Sequence, residues 1–146
     1  DICAAGTTIG TLDGANVEMY ERLGDENMFL FGLHTDEIAQ LRANGYDPGA
    51  IARNDPEISR IFSRFSKGFS DGKSYSDLVS QLLYGGDPYM LIADYRAYAD
   101  CQKRLYERIS DKGELARLAI MNTAESGIFA ADRAISQYAH EIWNVK

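Results

Sequence analysis

Cysteine and long apolar runs are the first things that this sequence lacks. Its two cysteines, Cys3 and Cys101, are too few for a disulfide framework, and they fit a reducing compartment. No apolar run approaches the roughly 20 residues that a membrane-spanning helix needs, and no signal peptide opens the chain. We therefore expect a cytoplasmic protein without a membrane partner.

Basic charge is also scarce. The sequence has 15 lysine and arginine residues against 22 aspartate and glutamate residues, a net charge of −7, and its basic residues are scattered. A nucleic-acid surface needs a basic patch that neutralises phosphates, so we expect no nucleic-acid partner. With 45% hydrophobic and 25% charged residues over 146 positions, the composition is that of an ordinary globular domain with a sizeable core.

Residues that could ligate a metal or attack a substrate are few and widely spaced. His34 and His140 are the only histidines, and the two cysteines are equally far apart in sequence. This spacing does not suit a metal site, and it leaves each cysteine without a nearby base. We predict no metal site, and we expect the histidines to be surface residues or to have ordinary hydrogen-bond partners.

Two carboxylates are candidates for the paired acid and base of glycoside chemistry, which must converge across a sugar. Asp13 and Glu18 are five positions apart around a predicted turn, so we favour helix-cap and surface roles for both. Arg133 follows Asp132 near the end of the chain. We expect it to fix the entry of the last helix, and nothing in the sequence supports a phosphate-binding role.

Five tyrosines lie between residues 84 and 106. Aromatic rings can stack on sugar rings, but tyrosines at helical spacing more often pack in a core or at an interface. We therefore favour packing over sugar binding. The five are Tyr84, Tyr89, Tyr95, Tyr98 and Tyr106.

One stretch organises the chain, residues 8–19, which read T-I-G-T-L-D-G-A-N-V-E-M. The apolar, β-branched run 7–12 predicts a buried strand of a parallel sheet. Asp13 and Gly14 break the run, and Asp13 or Asn16 is expected to cap the helix that follows. Such turns lie at the carboxyl ends of strands, where open α/β sheets bind ligands, but this one lacks the spacing of a dinucleotide or phosphate loop.

A second apolar run, Asn27 to Leu33, predicts a second strand, and cap residues with helical periodicity predict helices after it. Residues 44–54 are interpreted mostly as a connection. The first predicted helix ends near Leu23. The later ones run from Thr35 to Gly45, from Pro56 to Gly68, from a capping box at 74–77 to Gly85, from Asp94 to Ile109, from Asp111 to Gly127 and from Asp132 to Trp143.

The predicted fold class is α/β, mostly helical with two early strands. Two strands alone form a marginal sheet, so we expect this segment to complete a larger parallel sheet.

The stretch 8–19 resembles the segment that follows the cofactor lysine in the α-glucan phosphorylases, the family of the glycogen, starch and maltodextrin phosphorylases. The far end agrees, since S-G-I-F-A-A-D-R-A-I at 126–135, Tyr138 and I-W-N-V at 142–145 resemble the family's closing S-G-x-F-S-x-D-R-x-I…Y…I-W. The resemblance covers about residues 8–146. Two further stretches that fit are E-N-M-F-L-F-G at 26–32 and A-D-Y-R-A-Y at 93–98.

The resemblance implies that residues 1–146 are a C-terminal segment of a phosphorylase. They would form part of its cofactor-side, Rossmann-like glycosyltransferase domain, truncated after the cofactor lysine. The family transfers a glucosyl unit from an α-1,4-glucan to phosphate and releases glucose 1-phosphate. Its lysine, within G-T-G-N-M-K-F, forms a Schiff base with pyridoxal phosphate, which acts through its phosphate group. Residues 1–6 depart from that segment, and the first lysine is Lys67 in an unrelated context.

No catalytic or cofactor-binding residue is therefore carried over to this chain, and we expect it to be inactive alone. The implied partners are the glucan, phosphate and the remainder of a phosphorylase chain. Family members are commonly dimers, so a homo-oligomer is also implied. The alternative is a stand-alone, non-catalytic interaction module derived from a phosphorylase tail.

Overall fold

The computed structural model describes residues 6–145, which form α-helices and one pair of parallel strands. The expected pattern of two early strands followed by helices is confirmed. Within the described range, no helix combines the length and apolarity needed to cross a membrane. The elements are β1 (Thr8–Gly10), α1 (Ala15–Leu23), β2 (Met28–Leu30), α2 (Thr35–Ala43), α3 (Pro48–Asn54), α4 (Pro56–Lys67), α5 (Ser76–Tyr84), α6 (Leu91–Ile109), α7 (Lys112–Glu125), a 3-10 helix (Ser126–Phe129) and α8 (Ala131–Glu141).

The described residues divide into two compact units. Residues 6–31 and 100–145 form unit 1, and residues 32–99 form unit 2. Helix α6 begins in unit 2 and ends in unit 1.

Unit 1 is built on the β1–α1–β2 segment. The strands pair in parallel, with Thr8 opposite Met28 and Ile9 opposite Phe29. Parallel neighbours need a crossover connection, and α1 provides it. Met19 and Leu23 lie four residues apart on one face of α1, where they pack with Met28.

The next residue of β2 faces a second core, because successive side chains of a strand point to opposite sides. Phe29 packs with Cys101 of α6 and Leu118 of α7, both of which have no exposed surface. The strand pair is thus covered on both faces, as is usual for parallel sheets. Burial of a side chain such as Leu118 contributes about 1.5–3 kcal/mol to stability.

Asn27 connects the start of β2 to α7 through buried hydrogen bonds. Its Nδ2 donates to the carbonyl of Leu23 at 2.8 Å, and its Oδ1 accepts from Nη1 of Arg117 at 2.7 Å. Nδ2 of the buried Asn122 donates to the backbone carbonyl of Asn27 at 3.3 Å. These bonds satisfy polar groups that would otherwise destabilise the core.

Unit 2 packs α3, α4, α5 and the first part of α6 around one apolar cluster. Its buried members are Ala52, Ile58 and Ile92, and half-buried residues surround them. Those surrounding residues are Ile51, Phe62, Leu82, Leu83 and Tyr95.

Aspartate caps begin two helices where the sequence predicts them. The Asp55 carboxylate accepts from the backbone N–H of Glu57 and Ile58 at 2.9 and 3.1 Å, before Pro56 at the first helical position. Asp111 caps α7 in the same way. Gly68 ends α4 with φ of 80°, where an added Cβ would lie 2.5 Å from the carbonyl of Lys73.

Two predictions between residues 34 and 54 are wrong. His34, not Thr35, is the N-cap of α2, because its ring and Glu37 form a reciprocal capping box. Residues 44–54 are not mostly a connection, since Asp47 accepts from Ala50 N–H at 2.9 Å and starts α3.

The predicted capping box at 74–77 is also wrong. Tyr75 occupies the N-cap of α5 without a side-chain bond, and Ser74 instead bonds Ser76. The inward face of α5 consists of the buried Val79 and the half-buried Leu82 and Leu83, at i, i+3 and i+4, while Leu78 is 50% exposed.

The C-terminal elements differ from prediction at their ends. Helix α7 stops at Glu125, and Gly127 lies inside the 3-10 helix that follows instead of closing α7. Helix α8 ends at Glu141, two residues before the predicted Trp143, and its predicted apolar residues Ile135 and Tyr138 are exposed.

Candidate functional site

The turn after β1 lies where an α/β fold would bind a ligand, and Asn16 fixes its shape. Its Nδ2 donates to the carbonyl of Thr11 at 2.8 Å. A Cβ added to Gly10 would lie only 2.6 Å from this nitrogen, so a side chain there would displace the Asn16 amide. Gly14 has φ of 47°, in the left-handed region. The predicted order of strand, glycine turn and helix is confirmed, but the strand covers only Thr8–Gly10 and is half-buried, not buried as predicted.

The two predicted side-chain caps of α1 are wrong. Gly14 is the N-cap, and it has no side chain that could bond the first turn. Asn16 lies inside α1, and its Nδ2 donates backwards to the carbonyl of Thr11. Asp13 accepts the Asn16 N–H at 3.0 Å through its backbone carbonyl only. Asp13 and Glu18 are both exposed, which confirms their predicted surface placement.

The histidines and Cys101 have the ordinary roles that the sequence predicts. His34 caps α2, and His140 is exposed in the last turn of α8. The Cys101 thiol is fully buried and donates to the carbonyl of Leu30 at 3.5 Å, while Cys3 lies outside the described residues. Over residues 6–145, no three metal-ligating side chains come together.

Arg133 joins two elements of the chain's end. Its Nε donates to the carbonyl of Ile128 in the 3-10 helix, and its Nη1 donates to Gln137 of α8 at 2.7 Å. The guanidinium thus fixes the entry of α8, as predicted.

The lysines do not fit the cofactor that the resemblance implies. A Schiff base needs a lysine amine directed into a protected site. All four described lysines are exposed, and they belong to α4, α6, α7 or the loop before α5, not to the turn after β1. These are Lys67, Lys73, Lys103 and Lys112. We therefore assign no cofactor-binding residue among positions 6–145.

A buried carboxylate organises the connection between α5 and α6 in unit 2. Asp87 has no exposed surface, and its oxygens accept from Tyr46 Oη at 2.7 Å and from the backbone N–H of Leu91 and Ile92 at 3.0 and 2.8 Å. Burial and then the bond to Asp87 raise the pKa of the Tyr46 phenol. Burial also raises the pKa of the nearby Asp94 carboxyl.

Arg96 joins α6 to the start of α4. Its Nε donates to Asp55 at 2.6 Å and its Nη1 donates to Glu57 at 2.6 Å. The bond from Arg96 is the largest of the causes that lower the pKa of the Asp55 carboxyl, and the bond from Tyr95 is the largest for Glu57. Every member of this cluster pairs with another, so the cluster stabilises a helix junction.

A second ion cluster in unit 1 joins α6 to α7. Arg117 donates to both oxygens of Glu114 at 2.9 Å, and Nε of Arg108 donates to the same carboxylate at 2.9 Å. The bonds from Arg117 and then Arg108 lower the pKa of Glu114 to about 2. The paired arginines also reach the carbonyl of Glu26, so this cluster too is structural.

The five tyrosines are placed differently from one another. Tyr95 packs in the core of unit 2, where core packing is confirmed. Tyr84 and Tyr89 are each 81% exposed and Tyr106 is 71% exposed, so core packing is wrong for them. Tyr98 is 40% exposed. Packing of these four at an interface stays a prediction.

An apolar groove of about 660 Å³ lies between α4 and α5 in unit 2. Phe62, Phe65 and Leu82 line it, and Tyr89 and Gln81 stand at its edge. The sequence predicts the apolar faces of both helices, but not that they would leave a groove.

Two buried polar residues with central hydrogen bonds, Asn27 and Asp87, are not predicted from the sequence. The sequence gives Asn27 no signal beyond its position at the start of a predicted strand, and Asp87 lies between two predicted helices. Asp87-Pro88 after two glycines is the one local signal for the role of Asp87, since aspartate commonly caps a helix from outside it.

The parallel β1–α1–β2 segment, covered on both faces by helices, defines an α/β protein. A family model described as "Carbohydrate phosphorylase" matches residues 2–145, so this chain belongs to the carbohydrate phosphorylase family.

Curated relatives agree with this assignment. The glycogen phosphorylase of Synechocystis sp. is 43% identical over 142 residues, and the muscle form of glycogen phosphorylase of Mus musculus is 40% identical over 142. The glycogen phosphorylase of Chlamydia pneumoniae is 39% identical over 141 residues. These matches cover 94–95% of this chain and 17% of each relative, so the chain spans about one sixth of their length.

Proposed function

We propose that this chain is part of an α-glucan phosphorylase, an enzyme that transfers a glucosyl unit from an α-1,4-glucan to phosphate and yields glucose 1-phosphate. One observation carries the proposal: glycogen phosphorylases match 95% of the chain at about 40% identity. The whole enzyme would be cytoplasmic and dependent on pyridoxal phosphate, and would form a homo-oligomer.

The role of the described residues in that enzyme is structural. They supply two strands and the helices that cover them to a Rossmann-like C-terminal domain. A two-stranded sheet is marginal alone, which supports its completion by further strands of the same protein. Since the described lysines do not fit the cofactor, no step of the reaction is assigned to this chain's residues.

The second candidate function is a non-catalytic interaction module. It is favoured by the exposed apolar side chains on and after α8, which resemble an unoccupied contact surface. These side chains are Ile135, Tyr138, Ile142, Trp143 and Val145.

Two measurements test the proposal. The mass of the protein purified from its native source is expected to be several times 16.2 kDa, and that protein is expected to release glucose 1-phosphate from maltodextrin and phosphate. The 146-residue chain with added pyridoxal phosphate is the control, and it is expected to release none.

The outcomes separate the two candidates. A native mass of 16.2 kDa without phosphorolysis would refute the enzyme proposal and support the module. Release of glucose 1-phosphate by the 146-residue chain would instead contradict the purely structural role.

A further inference from the structure

Asn44 is the one asparagine of this sequence that a glycine follows. Asparagine is a thermolabile residue, because the backbone nitrogen of the next residue can attack the carbon of its side-chain amide. A glycine in the next position favours this attack, since it has no Cβ that would crowd the nitrogen. The pair Asn44-Gly45 is therefore a candidate site of covalent self-modification.

The structure leaves the Asn44 side chain free to react. Asn44 is exposed at the C-cap of α2, and its side-chain amide has no hydrogen bond within the part of the chain that the structure describes. The side-chain amides of Asn16, Asn27 and Asn122 instead donate to backbone carbonyls. No such bond holds the amide carbon of Asn44 away from the next backbone nitrogen.

The backbone around Gly45 is held only by the last turn of α2. The N–H of Gly45 donates to the carbonyl of Arg42 at 3.1 Å, and the N–H of Asn44 donates to the carbonyl of Gln40 at 3.0 Å. Helix α2 has no buried residue, and such helix ends open at a small cost in free energy. A Cβ built on Gly45 would meet no described atom within 4 Å, so the opened turn has room to react.

Asn54 provides a comparison within the same unit. It is also exposed, it ends α3, and its side-chain amide likewise has no hydrogen bond among the described residues. The residue that follows it is Asp55, which carries a side chain and is fixed as the N-cap of α4. The nitrogen of Asp55 is thus more crowded than that of Gly45, and we expect Asn54 to react more slowly.

We propose that Asn44 converts spontaneously to aspartate and isoaspartate. The nitrogen of Gly45 bonds to Cγ of Asn44 and the bond from Cγ to Nδ2 breaks. Nδ2 leaves as ammonia with the proton of the Gly45 nitrogen, and a five-membered succinimide ring remains. Water then opens the ring. Opening at the side-chain carbonyl gives aspartate, and opening at the backbone carbonyl gives isoaspartate.

The conversion destabilises the end of α2 and the segment that follows it. Each product has a carboxylate in place of the amide, which adds one negative charge to the net charge of −7. A negative charge is unfavourable at the C-terminal end of a helix. Isoaspartate also adds a methylene to the backbone two residues before Tyr46, whose hydroxyl donates to the buried Asp87 at 2.7 Å.

The test uses the protein encoded by the complete gene, kept in mildly alkaline buffer for several weeks and then digested briefly with trypsin. Cleavage after Arg42, Arg53 and Arg60 releases the peptides 43–53 and 54–60. We expect the first peptide to gain the mass difference between an acid and an amide, and to accept methyl groups from a protein isoaspartyl methyltransferase. We expect the second peptide to convert about tenfold more slowly, which corresponds to about 1.4 kcal/mol in the activation barrier.

Asn44→Gln is the control variant, because glutamine cannot form the five-membered ring with the next nitrogen. Its 43–53 peptide is expected to stay unmodified over the same period. The thermal midpoint of the aged unchanged protein is expected to fall below that of the fresh protein, and the midpoint of aged Asn44→Gln is expected to fall less.

An unchanged mass of the 43–53 peptide would overturn the inference. So would a mass gain without isoaspartate, since direct hydrolysis of the amide yields aspartate only. Conversion of the 54–60 peptide at the same rate would show that Gly45 plays no part. Midpoints that fall equally in the aged protein and in aged Asn44→Gln would contradict the loss of stability.

Discussion

At the scale of single residues, the shape of the turn after β1 depends on two residues in close contact. Asn16 folds its amide onto the carbonyl of Thr11, and the missing side chain of Gly10 leaves room for it. Gly10 matters here because of close packing, since a Cβ at this position would overlap the Asn16 amide in its present position. Gly14 in the same turn matters for its positive φ instead.

Gly10→Ala is expected to lower the free energy of unfolding by about 1–3 kcal/mol, because its Cβ overlaps the Asn16 amide and breaks the bond to Thr11. Urea unfolding followed by circular dichroism measures the change. Gly127→Ala is the control, since a Cβ there meets no atom within 4 Å, and it is expected to change stability by less than about 0.5 kcal/mol.

The Gly10→Ala/Asn16→Ala double variant tests the cause. Truncation of Asn16 removes the overlap, so the double variant is expected to lose less stability than the sum of the two single variants. An additive result would show that the Asn16 amide is not what excludes a side chain at Gly10.

At the scale of elements, ion pairs hold neighbouring helices together, and one carboxylate makes the junction of α6 and α7 sensitive to pH. Glu114 receives hydrogen bonds from Arg108 of α6 and Arg117 of α7. These bonds lower the pKa of Glu114 to about 2 from an ordinary value of 4.5.

The stability that Glu114 contributes is therefore fully present above about pH 4.5 and is lost as the pH falls toward 2. We expect Glu114→Gln to lower the thermal midpoint at pH 7 and to unfold at nearly the same temperature as the unchanged protein at pH 2. Calorimetry across this range measures the difference.

Glu107→Gln is the matched control, because Glu107 is an exposed carboxylate of α6. Its midpoint is expected to follow that of the unchanged protein at every pH. A Glu114→Gln deficit that persisted undiminished at pH 2 would contradict the assigned pKa.

Helix boundaries can be predicted from this sequence where the residue that forms the boundary is itself the signal. Asp55, Asp111 and Gly68 mark helix ends through their own chemistry, so the predicted boundaries of α4 and the start of α7 are confirmed. Leu78 shows the limit, since it is as apolar as its neighbours but is 50% exposed, whereas Val79 is buried. The role of Asn27 could not be predicted, because its partners on α7 lie 90 and 95 residues away in sequence.

The candidate site was likewise predictable only where its residues are close together in sequence. Gly10, Gly14 and Asn16 were assigned to one turn because they are adjacent in sequence. The exposure of Tyr84 and Tyr89 was not predicted, because periodicity identifies an apolar face without showing what covers it.

At the scale of the whole molecule, α8 presents apolar side chains to solvent, and none of its residues is buried. Ile135 lies on this face, and Ile142 follows directly after the helix. Contiguous exposed apolar surface favours association. The isolated chain is therefore expected to self-associate through this region.

Ile135→Ser/Ile142→Ser is expected to reduce self-association of the 146-residue chain, because it removes apolar surface that association would bury. Analytical ultracentrifugation over a range of concentrations measures it. Ile120→Ser removes a single isoleucine, 67% exposed on α7, and is expected to have little effect. Unchanged association in the double variant would show that another surface carries it.

The hydrogen bonds of Asn27 cannot all form until a late stage of synthesis. Arg117, which completes its hydrogen bonds, follows 90 residues later in the chain. At about 5–20 residues per second, the ribosome releases Asn27 roughly 5–18 s before its partner. Residues 32–99 are all added within that interval, so unit 2 is complete before α7 is available to cover Phe29. We therefore expect unit 2 to be able to fold before unit 1 is complete.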